Sequence, residues 1–211
     1  MINLVTTRQK TGEPAELLRW YNDHVNLLMG FEDLTGATLY RCISAGTATA
    51  PEYACLYDFP SQAAFDAFEA SDAKESARQV TLTGWGRQGI EIIQRTQYTT
   101  GGKWSGPAVP MADRLFHIQY LTIQPSSEAG YTKRWLADTL YLAAVQAGVS
   151  HYEWYVSSQQ QVIVVASTAG NIPSSWHAWW AAANAESPGQ VPSAVQVNWQ
   201  ASYQRVSSWY R

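Results

Sequence analysis

Across residues 16–28 apolar side chains recur at helical spacing. Leu17, Tyr21 and Leu28 form one stripe, Trp20 and Leu27 flank it, and His24 falls on the same stripe. The pattern predicts an amphipathic helix that carries an ionisable imidazole on the face where a helix meets its sheet. Thr11-Gly12-Glu13-Pro14 opens this helix: a capping-type residue, an acid in the first turn, and a proline where a missing N–H does no harm. Gly30 closes it.

The rest of the first half reads in the same way. Strands are predicted at residues 1–8, 36–44 and 53–59, the last two joined as a hairpin by the turn at 45–51. Pro60-Ser61 caps a second helix running to about Val80, with Ala64, Phe65 and Phe68 inward. Gly84-Trp85-Gly86 then leads into a strand over 90–98. Strand, helix, strand, strand, helix, strand is the ferredoxin-like order, an α+β unit with both helices on one face of an antiparallel sheet.

Residues 99–113 have the glycine and proline content of a linker. The order then repeats, with strands at 115–124, 149–157, 161–167 and 195–206 and helices at 127–146 and 174–184. The expected domains are a ferredoxin-like unit at 1–100, a linker at 101–113 and a degenerate second unit at 114–211. Shifting the chain by 115 positions supports this. Arg19-Trp20 falls on Arg134-Trp135, Asp23 on Asp138, Leu27 on Leu142 and Tyr40 on Tyr155. Phe65-Asp66-Ala67-Phe68 matches Trp176-His177-Ala178-Trp179, and Tyr98 matches Tyr203, at smaller offsets that loops of different length require. His24 meets Thr139 and Tyr21 meets Leu136, so the scaffold is shared while the polar equipment belongs to one copy. Two units that each leave a sheet face bare bury each other by packing those faces into one α+β barrel.

Composition narrows the function classes. The chain of 211 residues is 46% hydrophobic and 15% charged, which suits a compact core. Its net charge of −3 gives no electrostatic footprint for nucleic acid. No apolar run approaches a membrane span, and the first residues lack a basic stretch followed by an apolar one, so a cytoplasmic protein with no membrane partner is expected. Cys42 and Cys55, on the two strands of the hairpin, are expected as free thiols. Ten tryptophans and twelve tyrosines suit both core layers and the walls of an aromatic-lined pocket. Nucleotide, metalloprotease and nucleophile-elbow motifs are missing from the sequence.

The stretch Trp20-Tyr21-Asn22-Asp23-His24 on the first helix of such a unit resembles the Trp/Tyr-x-x-x-His signature of EthD-like proteins. On it the chain is similar to the dimeric α+β barrel superfamily in its EthD-like or stress-responsive branch. The resemblance implies a small hydrophobic pocket between sheet and helices. It also implies chemistry on aromatic or polyketide-like compounds, by monooxygenases, cyclases, isomerases, dehydratases or lyases, with some members binding haem. The pocket histidine of the family carries over to His24.

The sequence therefore leads to a cofactor-independent enzyme for a small hydrophobic or aromatic molecule, working by acid/base chemistry of the isomerase, dehydratase, cyclase or lyase type. His24 and Tyr40 are the expected catalytic pair. Trp20, Tyr21, Tyr53, Tyr57 and Trp85 are the expected substrate contacts, with no metal and no cofactor. A non-catalytic binding or stress-response protein, and a haem-binding monooxygenase with His24 or His177 as axial ligand, are the alternatives, and a homodimer stays open.

Overall fold

The computed structural model describes residues 1–45, 48–106, 114–124, 134, 137, 138, 141, 145, 149–169 and 195–211. Eight strands and four helices are defined among them. They are β1 (Ile2–Gln9), α1 (Pro14–Leu28), β2 (Gly36–Ala45), β3 (Tyr53–Asp58), α2 (Gln62–Glu69), α3 (Asp72–Thr83), α4 (Gly86–Gly89) and β4 (Ile90–Ser105), followed by β5 (Arg114–Ile123), β6 (Val149–Val156), β7 (Gln161–Ala169) and β8 (Val195–Tyr210). The expected helices at 127–146 and 174–184 lie outside the described residues, apart from helical backbone at Arg134, Ala137, Asp138, Tyr141 and Val145. Hydrogen bonding orders the strands β1-β3-β2-β8-β5-β7-β6-β4, the order of a closed eight-stranded antiparallel barrel. The fold class is α+β. No helix among the described residues is long and apolar enough to cross a membrane.

The chain divides into two compact units. The first comprises Met1–Arg41, Pro51–Gln97 and Arg205–Arg211, and the second Cys42–Ala50 and Tyr98–Gln204. β2, β4 and β8 run through both. In the first unit β3 pairs antiparallel with both β1 and β2. Residues directly opposite in a ladder share a face, and successive residues alternate. Asn3, Val5 and Thr7 stand opposite Tyr57, Cys55 and Tyr53, and Ala37 and Leu39 stand opposite Tyr57 and Cys55. Tyr57, Cys55, Tyr53, Ala37 and Leu39 join Leu17, Trp20, Tyr21, Val25 and Leu28 of α1 in one core.

α1 starts where the sequence indicates, although its cap is Glu13 and not Thr11. The Glu16 carboxylate reaches back to accept from the Glu13 N–H at 2.9 Å, so an orphan donor of the first turn is satisfied. The single helix expected over 61–80 is two. Ser71 interrupts it, donating its hydroxyl to the Phe68 carbonyl at 2.7 Å and accepting from the Lys74 N–H at 3.2 Å. A serine that satisfies both the end of one helix and the start of the next lets the chain turn, so α2 buries Phe65 and Phe68 while α3 packs on α1.

The second unit holds β5, β6 and β7 with the remaining parts of β2, β4 and β8. β4 continues to Ser105, through residues that read as linker in the sequence. Its register against β6 shifts between Thr100 and Gly102, and a Cβ on Gly101 would lie 2.3 Å from ring carbons of Trp154. These glycines mark a bulge under an indole, where a side chain would collide with the ring.

Candidate functional site

In the first unit a cavity of about 260 Å³ lies between the sheet and α1 and α3. Its floor is Asn3, Val5 and Thr7 of β1 with Tyr57 of β3; α1 contributes Trp20, Tyr21, His24 and Leu28. Thr81 and Leu82 of α3, Phe68 of α2 and Ile90 and Ile92 of β4 add to the wall, and Lys74, Arg78 and Arg95 complete it. The helical stripe and the strand alternation meet here, which is why polar and apolar groups of such different sequence position share one wall.

His24 is held by α3. Its Nδ1 is 3.2 Å from the Ala77 carbonyl oxygen and 3.2 Å from the Thr81 hydroxyl. A carbonyl oxygen accepts only, so Nδ1 carries the proton and Nε2 the lone pair. The Thr81 hydroxyl donates to the same carbonyl at 3.1 Å, so its oxygen is not spending its proton on the ring. Nε2 has no hydrogen-bond partner among the described residues and is the ring nitrogen open to a ligand. Trp20 stacks on the imidazole with ring centroids 4.8 Å apart. Burial pushes the His24 pKa down to about 4; the Ala77 carbonyl works against that shift, and the Arg95 charge adds to it. At neutral pH the ring is an uncharged base.

Further polar groups belong to the wall residues. Tyr21 and Thr7 share a hydroxyl–hydroxyl bond of 2.7 Å, and burial raises the Tyr21 phenol far above its ordinary range. Tyr57 is raised in the same way, again mainly by burial. Both phenols stay protonated and can donate. Asn3 Oδ1 and Trp20 Nε1 are buried and have no hydrogen-bond partner among the described residues. A buried acceptor and a buried donor left unmatched are costly.

Of the residues singled out from the sequence, the structure brings Trp20, Tyr21, His24 and Tyr57 together around the cavity. Tyr40, Tyr53 and Trp85 stand outside its lining. Tyr40 pairs with Ala54, one residue out of phase with Tyr57 and Cys55, and so occupies the opposite sheet face. Tyr53 is buried in the core, 6.4 Å from the Tyr21 ring centroid to centroid. Trp85 precedes α4 and lies over Gly12 and Gly89. Asn3, Thr81, Lys74, Arg78 and Arg95 were not anticipated. Period-2 alternation through Asn3, Val5 and Thr7 is the signal that marks Asn3; the three cations have none.

For the haem alternative this cavity offers about 260 Å³, just below the roughly 300–1,000 Å³ usual for small-molecule clefts, with His24 in its wall. His117 is buried with Nδ1 on Ser202 at 2.9 Å and Nε2 on Thr168 at 3.2 Å, leaving neither nitrogen for iron. His151 is likewise engaged at both nitrogens, by Ser105 and Glu153. His177 lies outside the described residues. Among those residues no group of three or more His, Cys, Asp or Glu is arranged to hold a metal ion.

No family model matches the chain, and no curated protein does. Solved structures do. A protein described as a monooxygenase from Fusobacterium nucleatum subsp. nucleatum is 9% identical, with a TM-score of 0.65 over 100% of this chain and 94% of that one. An anthrone oxidase-like protein is 12% identical, with a TM-score of 0.66 over 99% and 92%. A variant chlorite dismutase from Candidatus Nitrospira defluvii is 11% identical, with a TM-score of 0.59 over 98% and 90%. These neighbours overturn the expectation of a cofactor-free isomerase, dehydratase, cyclase or lyase, because the proteins that share the whole chain's course are oxygen- and chlorite-handling ones. What the likeness carries at these identities is the fold alone, an α+β barrel.

Proposed function

We propose that the chain is a monooxygenase that uses O2 on a small aromatic carbon acid bound in the cavity of the first unit. The observation that carries this reading is His24: a neutral imidazole with Nδ1–H tied to Ala77 and Nε2 without a partner among the described residues, in a cavity wall it shares with Trp20, Tyr21, Leu28 and Ile90. The likeness to an anthrone oxidase-like protein supports the choice of substrate class.

The chemistry balances with O2 as the sole oxidant. Nε2 takes a proton from a methylene flanked by aromatic rings, and the carbanion delocalises into those rings. That carbon gives four electrons in all to one O2. Two C–H bonds break, one oxygen atom becomes the new carbonyl, and the other leaves as water with both hydrogens. The imidazolium returns its proton to the departing oxygen. Tyr21 and Tyr57, held protonated by burial, donate to the ring-borne oxyanion. Exclusion of water by Trp20, Leu28 and Ile90 keeps the carbanion from being reprotonated.

Anthrone is the direct probe. Oxygen uptake of one O2 per anthrone consumed, with one atom of ¹⁸O2 in the quinone product and a loss of at least about 100-fold in His24→Ala, is the expected result. Oxidation no faster than the buffer blank ends the reading.

The tandem origin and the EthD-like branch belong to the same reading. The order β4-β1-β3-β2 recurs as β8-β5-β7-β6, which supports a duplicated unit at 1–100 and 114–211. The aligned pairs Tyr40 and Tyr155, on β2 and β6, and Tyr98 and Tyr203, on β4 and β8, are all buried. The EthD-like branch rests on the Trp20–His24 stretch.

A further inference from the structure

Among the described residues the cavity wall carries three cations, Lys74, Arg78 and Arg95, and no acidic side chain. The carboxylates that pair with them stand outside the lining. Arg78 is held by Glu75 at 3.0 Å in a pair that is more than half exposed on both sides. Lys74 and Arg95 converge on one carboxylate, Glu69. Two positive charges sharing one negative charge leave an excess of one, and the Lys74 side chain is 21% exposed. A charge on a partly buried side chain is screened less than one fully in water. Lys74 also lies 6.0 Å from the centroid of Phe68, another wall residue, so the cation and the apolar surface adjoin.

We propose that the natural ligand of this cavity is an aromatic monoanion, a carboxylic acid or an equivalent acid, with its charged group between Lys74 and Arg95 and its ring system against Trp20 and His24. The inference rests on the cavity being the substrate site. One carboxylate supplies the charge that Glu69 alone does not, and the guanidinium of Arg95 offers a planar fork suited to it. The same anion offsets the Arg95 field at His24, and so strengthens the imidazole as a base when substrate is in place.

Isothermal titration calorimetry with 2-naphthoate and with the neutral 2-naphthylmethanol tests this without any turnover. The expected result is binding of the acid roughly tenfold tighter than the alcohol, as a hydrogen-bonded charge pair gives. In Lys74→Gln/Arg95→Gln that preference disappears while the alcohol binds as before, which also reports that the cavity is intact. Glu69→Gln, which removes the competing carboxylate, raises affinity for the acid about threefold or more by the same charge argument. Equal affinities in the wild type, a preference that survives the double substitution, no binding of either probe, or weaker acid binding in Glu69→Gln each overturn the proposal. Equal affinities leave the oxygenase reading to the anthrone assay. A clear preference for the acid in a protein inert toward anthrone keeps this proposal and removes that reading.

Discussion

His24 and Ala77 are tied across the packing of α1 on α3, the imidazole Nδ1–H donating to the helix carbonyl at 3.2 Å. The tie fixes the tautomer, because Nδ1 must carry the proton, and it leaves Nε2 as the base. It also makes the histidine dispensable to the fold. Ala77 keeps a donor in the Thr81 hydroxyl at 3.1 Å when the ring is gone. In His24→Gln we therefore expect a stability loss of no more than about 1 kcal/mol, the net worth of one hydrogen bond. Oxidation of anthrone by the same variant falls by roughly 100-fold or more. Thermal melts and oxygen uptake on one preparation check both halves. A large loss of stability with unchanged turnover identifies His24 as a packing residue.

Burial of the same ring gives the protein a pH signature. His24 and His117 are each pushed down to about 4 in the folded state, both chiefly by desolvation, against about 6.5 in the unfolded chain. Between these values the unfolded chain binds more protons than the native one, so stability rises with pH. The contribution is complete above about pH 6.5 and is lost as pH falls toward 4. One shifted group is worth at most on the order of 3 kcal/mol, and less for His24, which is only half-buried by exposed area. Urea unfolding at pH 4.5 and 7.5 checks this. The wild type loses more stability on acidification than His24→Gln, and more than His117→Gln; equal losses in all three mean the rings are not desolvated.

The helical face of α1 is legible in the sequence because its period is intrinsic to the chain: Leu17, Tyr21 and Leu28 are buried on it, with His24 beside them. Tyr40 shows what is not legible. Its face depends on the register of β2 against β3, which the turn sets, and one residue's slip exchanges the faces. Lys74, Arg78 and Arg95 sit on long side chains whose backbone positions read as ordinary surface, and no periodicity in the sequence marks them as part of a cavity wall. The glycine pair on β4 reads as linker because glycine's lack of a side chain looks the same in a loop and under an indole.

Close approach to an indole is also the reason for Gly86. A Cβ there would stand 2.5 Å from Trp20 Nε1 and 2.9 Å from Trp20 Cε2. The indole cannot give way without leaving His24, on which it stacks. Gly86→Ala is expected to cost about 1–3 kcal/mol as overpacking. For a chain of this length that lowers the melting temperature by roughly 2–4 °C per kcal/mol. It also weakens 2-naphthylmethanol binding in calorimetry. A variant as stable as the wild type, with unchanged binding, would mean that the tryptophan has room to move.

Asn3 shows the cavity's chemistry from the side of the sheet. It is 3% exposed, stands on β1 opposite Tyr57 of β3, and leaves its Oδ1 without a hydrogen-bond partner among the described residues. An apolar residue of similar size removes that unmatched acceptor, and burying an unpaired amide costs roughly 1–3 kcal/mol in protein interiors. Selection for stability alone therefore favours leucine at this position. We expect Asn3→Leu to stabilise the ligand-free protein by about 1 kcal/mol, measured as a rise in urea midpoint at unchanged slope. The same substitution removes an acceptor from the cavity, so ligands that donate a hydrogen bond there lose affinity. 2-Naphthylmethanol, whose hydroxyl is a donor, is expected to bind several-fold more weakly, and naphthalene, which has none, to bind no worse. A destabilised variant would show that Asn3 holds the sheet together. A stabilised variant that binds both probes as before would show that its amide does not face the ligand.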